Sequence, residues 1–73
     1  MNKQQAIEII EREPVGVAQF YSTHAGRFFN KYNNLWYAFF VKANEWVVCD
    51  PHISTLHTMK PMHEILEIAL GED

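Results

Sequence analysis

Cysteine is scarce in this sequence, which contains only Cys49 among its 73 residues. A single thiol cannot form an internal disulfide, so the cross-linked framework of many small secreted domains is excluded. A reducing compartment is the simpler setting for such a chain. We therefore expect the protein to be cytoplasmic.

Long apolar runs are also lacking. No stretch approaches the roughly 20 apolar residues that cross a membrane, and residues 1–10 lack the basic flank and continuous apolar segment of a signal peptide. Gly and Pro number three each and no repeat is visible, which excludes a fibrous protein. We expect no membrane partner.

What is present is an apolar chain of the size of one domain. Hydrophobic residues make up 48% of the sequence and aromatic residues 14%, which is too apolar for a disordered segment. The length fits a single domain, residues 1–73, and excludes a multidomain enzyme. Gly-rich phosphate loops and Ser-centred nucleophile motifs are missing, so we expect no enzymatic activity and no cofactor.

Charge is unevenly distributed along the chain, whose formal net charge is -3. Residues 14–49 carry three cations against Glu45 alone, a net charge of +2, whereas residues 50–73 carry Lys60 against five acids, a net charge of -4. Every aromatic residue falls within the basic middle. A partner surface, if the protein has one, is expected there.

The amino-terminal residues have the pattern of an amphipathic helix. Asn2 is a suitable N-cap and Pro14 ends the segment. Its apolar residues recur at helical spacing, as Ala6, Ile7 and Ile10.

The carboxyl-terminal residues predict another helix, which Pro61 opens and Gly71 ends. Its apolar stripe is formed by Met62, Ile65, Leu66 and Ala69. Before it, Asp50 and Pro51 are predicted to begin a short helix or turn.

Between the helices, two pairs of turn residues divide the aromatic middle into three strands. Asn33 with Asn34, and Ala43 with Asn44, separate runs over residues 27–32, 35–42 and 45–50. Asn tolerates the left-handed backbone of a two-residue turn, whereas Ala43 fits it less well.

Residues 15–22 match both a helical stripe and a strand, and their composition favours a strand that ends in a turn over residues 23–26. The predicted fold is therefore α+β. It is a three- to four-stranded antiparallel meander flanked by an N-terminal and a C-terminal helix.

Counting outward from the two-residue turns separates the strand side chains into two faces. The first face is almost wholly apolar and is expected to pack under both helices; it contains Phe28, Tyr32, Leu35, Tyr37, Phe39, Val41, Trp46 and Val48. The second face mixes aromatic and charged residues; it contains Arg27, Phe29, Lys31, Trp36, Ala38, Phe40, Lys42, Glu45, Val47 and Cys49. Lys42 is predicted to lie opposite Glu45.

The second face is the predicted partner-binding surface, because an aromatic face must be either covered by a helix or used for binding. We expect a protein-protein interaction module, an adaptor or an inhibitor of a larger protein, with a homodimer through the same face as a close variant. The predicted anchors are Trp36, Phe40 and Phe29, and the predicted flanking charges are Arg27, Lys31 and Lys42. Phe28, Phe39 and Trp46 are assigned to the core.

Two alternative functions use other features of the sequence. The same aromatic and basic side chains suit single-stranded nucleic acid, although a pI near 5.7 and the acidic tail disfavour it. A zinc site is the lesser alternative, because zinc prefers Cys and His ligands, but the usual separation of two ligand pairs is missing. Its candidate ligands are Cys49, His52, His57 and His63.

Overall fold

Helices near both ends of the chain flank a five-stranded antiparallel sheet in the computed structural model, which describes residues 1–14 and 18–71. The α+β class is thus confirmed, with one strand more than predicted. The elements in chain order are α1 (Lys3–Glu11), β1 (Phe20–Ser22), β2 (Arg27–Tyr32), β3 (Leu35–Phe40), β4 (Glu45–Cys49), α2 (Ile53–His57), β5 (Met59–Pro61) and α3 (Met62–Leu70).

The preference for a strand over residues 15–22 is confirmed for Phe20–Ser22, which forms β1. Ala18 and Gln19 precede the strand without regular structure, and residues 15–17 lie outside the described residues. The predicted turn over residues 23–26 follows β1, where Gly26 has a φ of 66° and its N–H donates to the Ser22 carbonyl at 2.8 Å. A left-handed φ is the conformation that glycine adopts without strain.

α1 begins as the sequence predicts, with a reciprocal cap. The Asn2 side chain accepts from the Gln5 backbone N–H at 2.8 Å, and the Gln5 side chain accepts from the Asn2 backbone N–H at 2.9 Å. The buried positions are Ala6 and Ile9, whereas Ile7 is only half-buried. Ile10 packs against the core as predicted, whereas Ile7 is not among the residues packed there, and Ile9, which the predicted stripe omitted, is buried.

The sheet order is β4-β3-β2-β1-β5, and the turn between β2 and β3 sets its central register. Asn33 and Asn34 have φ values of 51° and 64°, the left-handed pair that a two-residue hairpin turn requires. Tyr32 consequently pairs with Leu35, as predicted.

The turn between β3 and β4 is longer than predicted. Phe40, not Lys42, pairs with Glu45, and the Asn44 N–H donates to the Val41 carbonyl at 3.1 Å across a four-residue turn. Asn44 alone in this turn has a positive φ, 53°. A two-residue turn would place Ala43 in the same left-handed region, which is costly for alanine.

The longer turn shifts the pairing of β3 with β4 by two residues from the predicted register. Because side chains on a strand alternate between faces with a period of two, each residue stays on its predicted face. The division of the strand residues into two faces is therefore confirmed, although Val41 and Lys42 leave the sheet and lie in the turn.

The link between the two edge strands crosses the sheet. β4 and β5 lie at opposite edges, so residues 50–58 must span the strands between them. The hydroxyl oxygens of Ser22 and Thr58 are 2.8 Å apart, which puts this link on the face to which Ser22 belongs. The short helix in it starts at Ile53 rather than at Asp50, because the His52 side chain caps it by accepting from the Ser54 N–H at 3.2 Å.

The main core lies between α1, α3 and the first face of the sheet. Its buried members are Ala6, Ile9, Ala18, Tyr21, Phe28, Phe39 and Ile65, and Trp46 is half-buried against them. The assignment of Phe28, Phe39 and Trp46 to the core is confirmed. Leu66 of the predicted α3 stripe is 46% exposed, and Ile68 packs against the core instead.

The backbone conformation of Asn34 gives a test of the hairpin turn. Asn34→Ala is expected to lower the free energy of unfolding by about 1 kcal/mol, because alanine is strained at this φ. Asn34→Gly, the matched control, is expected to leave stability nearly unchanged. Urea denaturation followed by circular dichroism measures both; an equal loss in the two variants would show that the turn does not need a left-handed residue at this position.

Candidate partner-binding surface

The helices cover only the middle of the first face of the sheet. Beyond it, toward the Asn33 and Asn34 turn, large apolar side chains remain exposed: Tyr32 at 68%, Leu35 at 49% and Val48 at 55%. Tyr32 pairs with Leu35, and half-buried Tyr37 pairs with Val48. We call these four residues, Tyr32, Leu35, Tyr37 and Val48, the apolar patch.

The apolar patch corrects the prediction that the whole first face packs under the helices. α1 and α3 have nine residues each, so each is only about 13 Å long and covers the centre of the sheet. Val41, which was also predicted to be covered, is 75% exposed in its turn. The sequence contains a signal for this outcome in the residues that bound the helices. Helices limited to the segments from Asn2 to Pro14 and from Pro61 to Gly71 are too short to cover six-residue strands from end to end.

The second face presents two aromatic residues that each contact a cation. Lys31 pairs with Trp36 across β2 and β3, and its ammonium lies 5.3 Å from the centre of the indole. The Arg27 guanidinium carbon lies 4.5 Å from the centre of the Phe40 ring. Both rings are half-buried and both cations are exposed. At exposed sites such contacts contribute about 0.5–1 kcal/mol each, so they favour these aromatic and basic pairs.

Phe29 does not belong to the accessible surface. It is only 4% exposed, and its strand partner Ala38 only 3%. The link over residues 50–58 runs on the same face, as the contact between Ser22 and Thr58 shows. The prediction of Phe29 as a binding anchor is therefore wrong, and its role is in packing.

Lys42 is likewise displaced from its predicted position. It is exposed in the turn between β3 and β4, where it no longer lies opposite Glu45. Of the six predicted binding residues, four keep the arrangement that the pattern implied. Trp36 stands with Lys31 near the hairpin turn, and Phe40 stands with Arg27 two positions beyond buried Ala38.

The four predicted zinc ligands lie on different elements. Cys49 ends β4, His52 caps α2, His57 ends α2, and His63 lies in the first turn of α3. No three His, Cys, Asp or Glu side chains come close enough to hold a metal ion within residues 1–14 and 18–71. β5 separates the last two of these histidines, so the spacing in sequence does not become a cluster in space.

The Cys49 thiol is half-buried on the second face, where its strand partner is Trp36. Burial raises the pKa of this thiol above the usual value, and the Asp50 carboxylate raises it further, while Arg27 lowers it in part. The thiol is therefore protonated at neutral pH, which is unlike an activated nucleophile.

Among the helices that the structure describes, none is long and apolar enough to cross a membrane.

The partial exposure of Trp36 gives a stability prediction. Trp36→Ala is expected to lower the free energy of unfolding by about 2 kcal/mol while unfolding stays cooperative, because the indole loses its edge contact with Phe20, 5.6 Å between ring centres. Phe29→Ala, which empties a buried position, is expected to cost about 3–5 kcal/mol. Thermal unfolding compares the two, and a larger loss for Trp36→Ala would place the indole in the core.

The raised pKa of Cys49 predicts slow alkylation. Below the native pKa the folded protein exposes less thiolate than the unfolded chain, so the rate with iodoacetamide should reach half its maximum at a higher pH in native protein than in urea. Asp50→Asn is expected to move the native midpoint downward, because it removes a negative charge. A native midpoint at or below that of the unfolded chain would contradict the assigned environment.

No protein-family model matches this chain, and no curated protein or solved structure matches it either. The function is therefore inferred from the chemistry of the residues themselves.

Proposed function

We propose that this protein is a non-enzymatic protein-interaction module that binds its partner with the hairpin end of the sheet, where the apolar patch and the Trp36 and Lys31 pair lie on opposite faces. It acts as an adaptor or as an inhibitor of a larger protein. Its compartment is the cytoplasm, where a lone protonated thiol such as Cys49 stays reduced.

The observation that carries the proposal is the exposure of the apolar patch. A small domain buries a modest share of its surface and has few large apolar side chains to leave in water. Here Tyr32, Leu35 and Val48 are each about half exposed or more, and the strand pairing makes them neighbours. Contiguous apolar surface on a small domain is typical of a protein interface.

Polar groups frame this surface in the manner of an interface. Lys31 precedes Tyr32 on β2. Asp50 directly follows Cys49, the last residue of β4 and the strand partner of Trp36. Interfaces commonly combine an apolar and aromatic centre with a charged and polar rim. The partner is therefore a protein with an apolar surface of similar size, and a second copy of this chain meets the same requirement.

Single-stranded nucleic acid is the second candidate. It is favoured by the two cations beside accessible rings, Lys31 with Trp36 and Arg27 with Phe40. These contacts also oppose it, because the cations already cover ring faces on which bases would stack. The acidic residues after Asp50 repel phosphates as well.

Binding can be tested with variants that change the hairpin end of the sheet without changing the fold. The full chain is immobilised and exposed to an extract of its native host, and captured proteins are quantified by mass spectrometry. Leu35→Thr, which keeps β-propensity, and Trp36→Ala are each expected to reduce recovery of a specific partner about tenfold. Leu70→Gln is the control, because Leu70 is 74% exposed but lies on α3.

Other outcomes identify the competing candidates. Equal recovery by Leu35→Thr, or an equal loss with Leu70→Gln, contradicts the proposed surface. Sedimentation of purified protein at two concentrations reports a homodimer, which Leu35→Thr should weaken. Quenching of the Trp fluorescence by a single-stranded oligonucleotide at low salt, with recovery at high salt, would favour nucleic acid instead.

A further inference from the structure

A groove of about 450 Å³ opens at the end of the sheet opposite to the apolar patch. One wall is α1, which contributes Gln5, Ile9 and Arg12. The other wall is formed by Tyr21, Thr23 and Lys60, from β1, the turn after it and β5. This volume is within the range of sites that bind small molecules, about 300–1,000 Å³.

The hydroxyl of Tyr21 has unused hydrogen-bonding capacity in this groove. Only 6% of Tyr21 is exposed, and its ring packs edge-on against Phe28 with 5.0 Å between centres. In the described part of the chain this hydroxyl has no hydrogen-bond partner, although every enclosed side-chain N or O atom there has one. The Tyr21 hydroxyl is therefore not fully enclosed, and Tyr21 lines the groove.

The groove also holds a cation without a carboxylate partner. Arg12 donates from Nε to the Glu8 carbonyl at 3.4 Å, and its guanidinium makes no ion pair with any residue of the described ranges. Lys60 on the opposite wall pairs with Glu64 at 3.5 Å, a solvent-exposed contact that holds it weakly. The Glu8 carboxylate is the opposing charge, and it accepts a bond from Gln4 at 3.4 Å.

We propose that this groove binds a small organic carboxylate with an apolar body. The carboxylate accepts hydrogen bonds from Arg12 and from the Tyr21 hydroxyl. The apolar body packs on Met1, which lines the groove and is 39% exposed. Charge-assisted hydrogen bonds from a guanidinium suit a carboxylate, and the buried phenol adds a donor at a fixed position. The site is independent of the partner-binding surface, since the two lie at opposite ends of the strands.

The probe for this site is 2-naphthoate, with neutral 2-naphthamide as its matched control. Titration of ¹⁵N-labelled protein is expected to give saturable shifts in the amide signals of Arg12, Tyr21, Thr23 and Lys60, with a Kd of about 1 mM for a ligand of this size. The amide should bind about tenfold more weakly, because it carries no charge to meet Arg12.

Three substitutions test whether Tyr21, Arg12 and Glu8 determine the affinity for 2-naphthoate. Tyr21→Phe keeps the ring and its packing on Phe28 but removes the hydroxyl, and it is expected to weaken 2-naphthoate about tenfold. Arg12→Met should weaken it to a similar degree. Glu8→Gln should tighten it about twofold, because it removes a like charge at the groove. Lys42→Met, which removes a cation that does not line the groove, serves as the control for net charge.

The proposal is overturned if 2-naphthoate gives no saturable shift at millimolar concentration, if the amide binds as tightly, or if Tyr21→Phe binds as tightly as the unmodified chain. Shifts confined to Leu35, Trp36 and Val48 would also overturn it, because they would assign the probe to the partner-binding surface.

Discussion

The left-handed backbone at Asn33 and Asn34 is the constraint from which the arrangement of this protein follows. Because two residues alone connect β2 to β3, Tyr32 must pair with Leu35, and every later position on β3 is set by that pair. A turn one residue longer would move each β3 side chain to the opposite face. Which aromatic rings meet the helices and which meet solvent is decided at this turn.

The lengths of the covering segments then decide how much of each face stays exposed. The two nine-residue helices cover the part of the first face that contains Tyr21, Phe28 and Phe39. They leave Tyr32 and Leu35 exposed to solvent. On the other face, the link to β5 accompanies the burial of Phe29 and leaves Trp36 half-exposed. The hairpin end is thus the part of the sheet that neither layer encloses. The opposite end carries the polar groove beside Tyr21, so the two ends of the same strands have different chemistry.

Most of the fold could be predicted from the sequence because its signals are local. Asn2 with Gln5 begins α1, Asn33 with Asn34 makes the hairpin, and alternation along the strands separates the faces. The β3–β4 turn differed because a single Asn44 cannot supply two left-handed residues, yet the two-residue shift left the faces unchanged. β5 was missed because three residues ending in Pro61 carry almost no strand pattern, and its pairing with β1 is a long-range contact.

The candidate site was less predictable, because the exposure of a strand side chain depends on which helix or loop covers that part of the sheet. Alternation placed Phe29 and Trp36 on one face but could not indicate that the link over residues 50–58 runs on that face. The same limit led to the expectation that Leu35 and Val48 would lie under the helices. The Cys49 and His52 spacing resembled a ligand pattern, but strand and helix directions separate these side chains in space.

Solvent paramagnetic relaxation tests the central claim most directly, because it measures how closely a dissolved paramagnetic chelate can approach individual side chains. A neutral gadolinium chelate is added to the methyl- and aromatic-labelled protein, and relaxation is compared between the hairpin end and the core. The account predicts strong enhancement at Tyr32, Leu35 and Val48 and weak enhancement at Phe29, Phe39 and Ile65. Protection of Leu35 and Val48 equal to that of Phe39 in the monomer would contradict it.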